Sequence, residues 1–190
     1  MPTATRVRSE ELQVERLFWD TIESIRADYA MYNFYVERDF VWTVQKQLKR
    51  RIQNSGLPFT VYNDYPMERG PRRSKSVDLA VIPLASDSFD IRDGRESAEF
   101  VAEFKFEPSR ERPNDICLHK LPVTAWKDIQ NDVERVHRFV KDGKAKAAAA
   151  LFVDEYGRHR AKNPDSLSEW MDWGSYDTDS LNVSALYTLL

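Results

Sequence analysis

The run AEFVAEFKFEP, residues 98–108, constrains the fold more than any other stretch of the chain. Successive side chains of a strand point to opposite faces. Read as a strand over 98–106, the run turns Phe100, Ala102, Phe104 and Phe106 one way and Glu99, Val101, Glu103 and Lys105 the other. One face is wholly apolar and asks for a helix packed on it. The other carries charge inside an otherwise buried element, with Glu103 and Lys105 about 7 Å apart. A strand predicted over 77–84, VDLAVIPL, poses the same problem. Val77, Leu79 and Val81 share a face, and Asp78 lies on the other with Ala80 and Ile82. A lone carboxylate among aliphatic side chains is costly to bury. If the two strands are neighbours, Asp78 and Glu103 meet across them. Two such carboxylates repel unless they share a proton or a cation. A hard divalent cation such as Mg²⁺, which takes oxygen ligands and keeps several waters, satisfies both.

The remaining pattern supplies the frame. Leu12, Val14, Leu17, Phe18, Ile22 and Ile25 recur at helical spacing, predicting a helix over 9–31 with Ser9 as its N-cap. A second helix is predicted over 36–54 and stops at Gly56 and Pro58. Strands follow over 58–65, 77–84 and 98–106, the first two separated by the basic loop 68–76. A helix over 123–141 leads to a buried strand over 145–155, whose alanines predict close packing against a helix. The segment from 156 reads as irregular until NVSALYTLL, a terminal strand. The order αβββαβ predicts an α/β fold: a mixed central sheet flanked by helices, with an extra N-terminal helix. All 190 residues fit one domain, with 1–32 a helical extension, 36–155 the core and 156–190 a C-terminal extension.

Bulk properties narrow the function classes. A hydrophobic fraction of 42% is that of a globular chain. The net charge of −3 excludes a general polycation, so nucleic-acid binding would need a local basic patch or a metal. Cys117 is the only cysteine, which rules out an intrachain disulfide or a cysteine metal cluster and predicts a reducing, cytoplasmic setting. The opening MPTATRVRSEELQVERLFWD has no long apolar run, so neither a signal peptide nor a membrane span is expected there.

Asp78, followed on the next strand by Glu103-Phe104-Lys105, resembles the PD-(D/E)XK nuclease superfamily, whose restriction-endonuclease-like core has the order αβββαβ. The resemblance covers about 36–155, and Val77 stands where the family name has proline, a position that is not a ligand. It implies a Mg²⁺-dependent nuclease, with Mn²⁺ able to substitute. Asp78, Glu103 and the backbone carbonyl of Phe104 would be ligands. Lys105 would orient water or stabilise the phosphate. The family's glutamate on the first core helix matches Glu37, which shares an inward stripe with Val41, Val44 and Leu48, so Arg38 and Asp39 are expected to face elsewhere. Glu37 would complete the metal site. On the second core helix Gln130 matches a residue that approaches the site in several branches. A phosphate track would run through Arg69, Arg72, Arg73 and Lys75, joined by Arg110, Arg112 and Lys120. DNA is the expected substrate. The small chain leaves little room for a target-recognition domain, which implies a homodimer or a larger complex, in a microbial repair or defence system.

Plainer readings compete with these. Glu103 and Lys105 fit a same-face salt bridge, and Glu37 fits a charge favouring a helix N-terminus. KQLKRR reads as a solvated helix face. His119, His137 and His159 have no metal-binding spacing and read as structural or surface residues. Trp170 and Trp173 read as core packing. Two other functions fit the chain: a catalytically inactive nuclease-like module for nucleic-acid or protein binding, and an interaction protein docking through the apolar stripe of 9–31.

Overall fold

The computed structural model describes residues 4–70, 75–84, 91–93, 96–109, 123–175 and 182–190. Among them are the helices α1 (Ala4–Ala27), α2 (Glu37–Asn54) and α3 (Trp126–Lys141). The strands are β1 (Phe59–Glu68), β2 (Lys75–Pro83), β3 (Ala98–Glu107), β4 (Ala145–Asp154), β5 (Ser168–Ser175) and β6 (Asn182–Leu189). They form one mixed sheet in the order β1-β2-β3-β4-β6-β5. β3 and β4 run parallel, as a crossover through α3 demands, and the other pairs described are antiparallel. Among the described residues no helix is long and apolar enough to cross a membrane.

The predicted division of faces holds. Phe100, Ala102, Phe104 and Phe106 join Leu79 and Val81 in the core beneath α1 and α2. Phe18 of α1 sets its ring 4.7 Å from that of Phe100, and Phe40 of α2 sits 5.8 Å from Phe104. On the other face Ala80, Ile82 and Val101 pack with Val133, Val136 and Phe139 of α3. Ala148 and Ala150 of β4 lie in the same layer, and their short side chains let α3 approach the sheet.

Three expectations are corrected. α1 begins before Ser9, which lies inside the helix rather than capping it, and ends at Ala27; Tyr29–Met31 is a separate 3₁₀ turn. The segment after 155, read as irregular, contains the strand β5. β5 lies at the sheet edge and its pairing with β6 shifts between Asp172 and Gly174, with Gly174 at φ 84. A bulge of this kind breaks the alternation by which a strand is read. α3 starts at Trp126 because Ala125 is extended.

The β2–β3 pairing runs from Val81↔Phe100 to Leu79↔Ala102. One step further along that register Asp78 comes opposite Glu103. There Asp78 Oδ2 accepts the backbone N–H of Phe104 at 2.8 Å, so a side chain takes the place of a strand partner. The sheet opens at this point. The start of α2 borders the opening from one face and α3 from the other.

Candidate active site

The first turn of α2 is fixed by Asp39, whose Oδ2 accepts the N–H of Tyr35 at 3.0 Å and of Val36 at 3.2 Å. Amides at a helix start lack intrahelical partners, and an acid reaching back to them anchors the entry. Glu37, two residues earlier, is thereby held over the opening. Its Oε2 lies 3.3 Å from Lys105 Nζ. From the opposite face Asp132 of α3 brings Oδ2 to 2.9 Å from the same ammonium. Lys105 Nζ also donates to the carbonyl of Phe104 at 3.0 Å. Three oxygens thus surround the ammonium, although the approach of Asp132 Oδ2 is an ion pair without hydrogen-bond geometry.

Arg135, one turn after Asp132, places Nη2 2.5 Å from Asp132 Oδ1 and Nε 2.7 Å from Glu103 Oε1. The Nε–H is not aimed at that oxygen, so Glu103 Oε1 and Arg135 Nε are both buried without a hydrogen bond. The opening thus gathers four carboxylates, of Glu37, Asp78, Glu103 and Asp132, around two cations, Lys105 and Arg135. Ionisation responds to the excess of acid. Glu103 is 1% exposed. Burial, reinforced by the neighbouring Asp78 carboxylate and only partly offset by Arg135, pushes its carboxyl up to about 10. Burial likewise raises Glu37 and Asp132, against the pull of Lys105. Burial alone would lower Lys105, but Asp132 and Glu37 outweigh it and hold the ammonium above its ordinary value.

The structure therefore brings together Glu37, Asp78, Glu103, Phe104 and Lys105. It corrects the expectation for Gln130, which is exposed; the inward face of α3 presents Ile129, Asp132, Val133 and Val136 instead. Glu37 is turned onto Lys105 rather than joining Asp78 and Glu103 in a three-carboxylate cage. Among the described residues no group of three or more His, Cys, Asp or Glu side chains is arranged to hold a metal ion. Arg38 does not face elsewhere. With Glu37, Val41, Trp42, Asn63, Asp64 and Asp78 it lines a solvent-open pocket that encloses about 80 Å³. Asp64 falls opposite Asp78 in the β1–β2 register and adopts φ 50, a left-handed conformation that aspartate tolerates better than most residues.

Of the predicted phosphate track, Lys75 is in an ion pair with Glu68 at 3.4 Å, and Glu68 also holds Lys144 at 3.1 Å. Arg69 is exposed just after β1. Arg72, Arg73, Arg110, Arg112 and Lys120 lie outside the described residues, as do Cys117 and His119. His159 is a buried structural residue, stacked on Trp126 with ring centroids 5.8 Å apart, and Trp173 is buried in the core.

Sequence reasoning missed Asp132, Arg135 and Asp64. Asp132 left one readable signal: an acid within the inward stripe of a helix that crosses over the strand carrying Glu103 and Lys105. Comparison with known proteins finds no matching family model, no matching curated protein and no matching solved structure.

Proposed function

We propose that the chain is a Mg²⁺-dependent nuclease that hydrolyses phosphodiester bonds, with DNA as the expected substrate. In this reading α2, β1, β2, β3, α3 and β4 form a restriction-endonuclease-like core. The observation that carries it is the fastening of Asp78 to the Phe104 amide at 2.8 Å, which sets this carboxylate beside the buried Glu103. Such a pair exists at neutral pH only with a proton or cation between its members. Two carboxylates and the Phe104 carbonyl are hard oxygen donors, and one or two carboxylates with retained waters are what Mg²⁺ ordinarily takes. The donor set fits the ion. When bound, Mg²⁺ supplies polarisation of a phosphate oxygen and an acidified water.

The residues of the chain account for the rest. Asp78 and Glu103 would hold the cation, and Glu103 would release its proton on binding it. Lys105 stays cationic, because Asp132 and Glu37 hold it so. It therefore serves as a fixed positive charge towards the phosphate rather than as a general base. Asp132 and Glu37, from opposite faces of the sheet, aim its ammonium, and Arg135 offsets the charge of Asp132.

Plasmid nicking with Mg²⁺ or with EDTA tests the reading. Lys105→Ala and Asp78→Asn are expected to lose activity by about 100-fold or more. Undiminished nicking by Lys105→Ala would remove the role given to that residue. The turning of Glu37 and Asp132 onto Lys105 also supports a second reading, a catalytically inactive nuclease-like module used in nucleic-acid or protein binding. A folded wild type that cleaves no nucleic acid with either Mg²⁺ or Mn²⁺ would favour it.

A further inference from the structure

The pocket beside Asp78 has a side that phosphate chemistry leaves unexplained. Glu37 and Asp78 border the proposed catalytic centre. The outer wall is Trp42, on the turn of α2 after Glu37, and 56% of this residue is exposed. Residues four apart share a helix face, and Arg38 sets its guanidinium carbon 6.0 Å from the centre of the Trp42 ring. A cation at this range is drawn to the ring. Core packing does not account for the arrangement, since α2 packs its core through Phe40, Val44, Leu48 and Ile52, while Val41 borders the pocket. A second feature shapes the same pocket from the sheet. Asp64, in its left-handed conformation, interrupts the course of β1 opposite Asp78 and forms the facing wall.

A ligand that both stacks on the ring and reaches the proposed catalytic centre would combine a flat group with an anion. The pocket encloses only about 80 Å³, below the roughly 300–1,000 Å³ of closed small-ligand sites, so it can seat one edge of a ligand that otherwise lies in solvent. A nucleobase attached to the phosphate under attack meets both demands. Bases inside a duplex are stacked on one another and cannot offer a face to Trp42. Bases in a single strand, or splayed from a duplex end, can. We infer that Trp42, with Arg38 over one face of its ring, offers the other face as a stacking platform for an unpaired base next to the phosphate held at Asp78, Glu103 and Lys105, so that the preferred substrate is single-stranded or locally unpaired nucleic acid. The inference rests on the nuclease reading for the position of the phosphate, but its binding test does not depend on turnover.

The test is fluorescence anisotropy of a labelled single-stranded oligo(dT), and of its duplex with oligo(dA), in EDTA and in Ca²⁺. Trp42→Ala is expected to weaken single-strand binding by about tenfold or more and duplex binding by less than about twofold. Trp42→Phe should restore most of the loss, and Arg38→Ala should weaken single-strand binding by about two- to fivefold. Because Trp42 is exposed, circular dichroism of the variants checks that the fold is unchanged. Equal loss on both nucleic acids, no loss, or absence of single-strand binding by the wild type would each overturn the platform. Failure of the nuclease reading is a separate result: a wild type that binds oligo(dT) through Trp42 but cleaves nothing with Mg²⁺.

Discussion

Glu103 and Glu107 lie four residues apart on the same face of β3, and both are withdrawn from water, at 1% and 6% exposure. Their surroundings are opposite. Glu107 meets Arg158 through both oxygens, at 2.9 Å from Nε and 3.0 Å from Nη2, and accepts the Thr124 amide at 2.9 Å. A two-pronged guanidinium pair with an added amide is among the strongest ways to hold a buried carboxylate. Glu103 has Arg135 at 2.7 Å, but the Nε–H is not aimed at it, and the acids Asp78 and Asp132 crowd it further. An acid that holds the fold receives its own counter-ion. One left short of positive charge takes up a proton, which under the proposed function it would exchange for a cation.

The largest effect expected from breaking the contrast is at Glu107. Glu107→Gln removes the counter-charge of Arg158, whose Nη2 keeps the Thr124 carbonyl at 2.5 Å. Removing one member of a buried pair costs about 3–5 kcal/mol. The 38% exposure of Arg158 lets water replace part of that, so a loss of about 2–3 kcal/mol is expected. In a chain of this size that is a fall in Tm of roughly 4–12 °C. Thermal melts with and without Mg²⁺ check it, and the fall should be the same in both. A fall confined to the Mg²⁺ samples would mean that Glu107 belongs to the cation site.

Glu103→Gln should act with the opposite sign. In the folded chain Glu103 keeps its proton up to about 10, against an ordinary value of 4.5. Between these values the folded state binds a proton that the unfolded state has released, so stability falls as pH rises across that window. Glu37 and Asp132, also raised, add slope of the same sign. Replacing Glu103 with a neutral amide removes the largest part. In EDTA at pH 8.5 the variant should melt above the wild type by roughly 3–6 °C, or about 1–2 kcal/mol, with the gap closing towards pH 5. Mg²⁺ should stabilise the wild type, more at pH 8.5 than at pH 6, and leave the variant's Tm almost unchanged. Parallel pH dependence of the two proteins in EDTA would show that Glu103 is not the protonated acid.

Much of this contrast was legible in the sequence, and the gaps have physical reasons. Period-two alternation separated Glu103 and Lys105 from the phenylalanines, and the same rule placed Asp78. What alternation cannot give is register. Asp78 and Glu103 could have been offset by two residues with every face still right, and only the pairing Leu79↔Ala102 brings them together. The helices were less readable. A stripe sought among apolar residues on α3 passes over Asp132, whose burial depends on Lys105 and Arg135 waiting beneath it. Gln130 was favoured by the family resemblance, yet the same helix turns it to solvent. Arg38 was assigned outward from the stripe through Glu37 and Val41, but in the first turn of α2 the pocket is wide enough to reach both Glu37 and Arg38. The counter-ion of Glu107, Arg158, comes from a segment that had no recognisable pattern.

Glu99, the remaining acid on this face, sharpens the comparison with the smallest effect. It lies four residues before Glu103 and is equally buried, and Lys146 of the adjacent β4 sets Nζ 2.9 Å from its Oε2. Burial and the face of β3 are thus shared by all three glutamates, so neither can be what makes Glu103 different; the composition of the neighbourhood must be. Lys146 is 38% exposed, and water can replace much of what it gives. Lys146→Ala is therefore expected to cost no more than about 1 kcal/mol, to leave the pH dependence of the melt in EDTA as in the wild type, and to leave Mg²⁺ stabilisation intact. If this variant acquires a new dependence on Mg²⁺ at alkaline pH, loss of a lysine beside a buried glutamate on this face is sufficient to recruit the ion, and Asp78 is not needed to define the site.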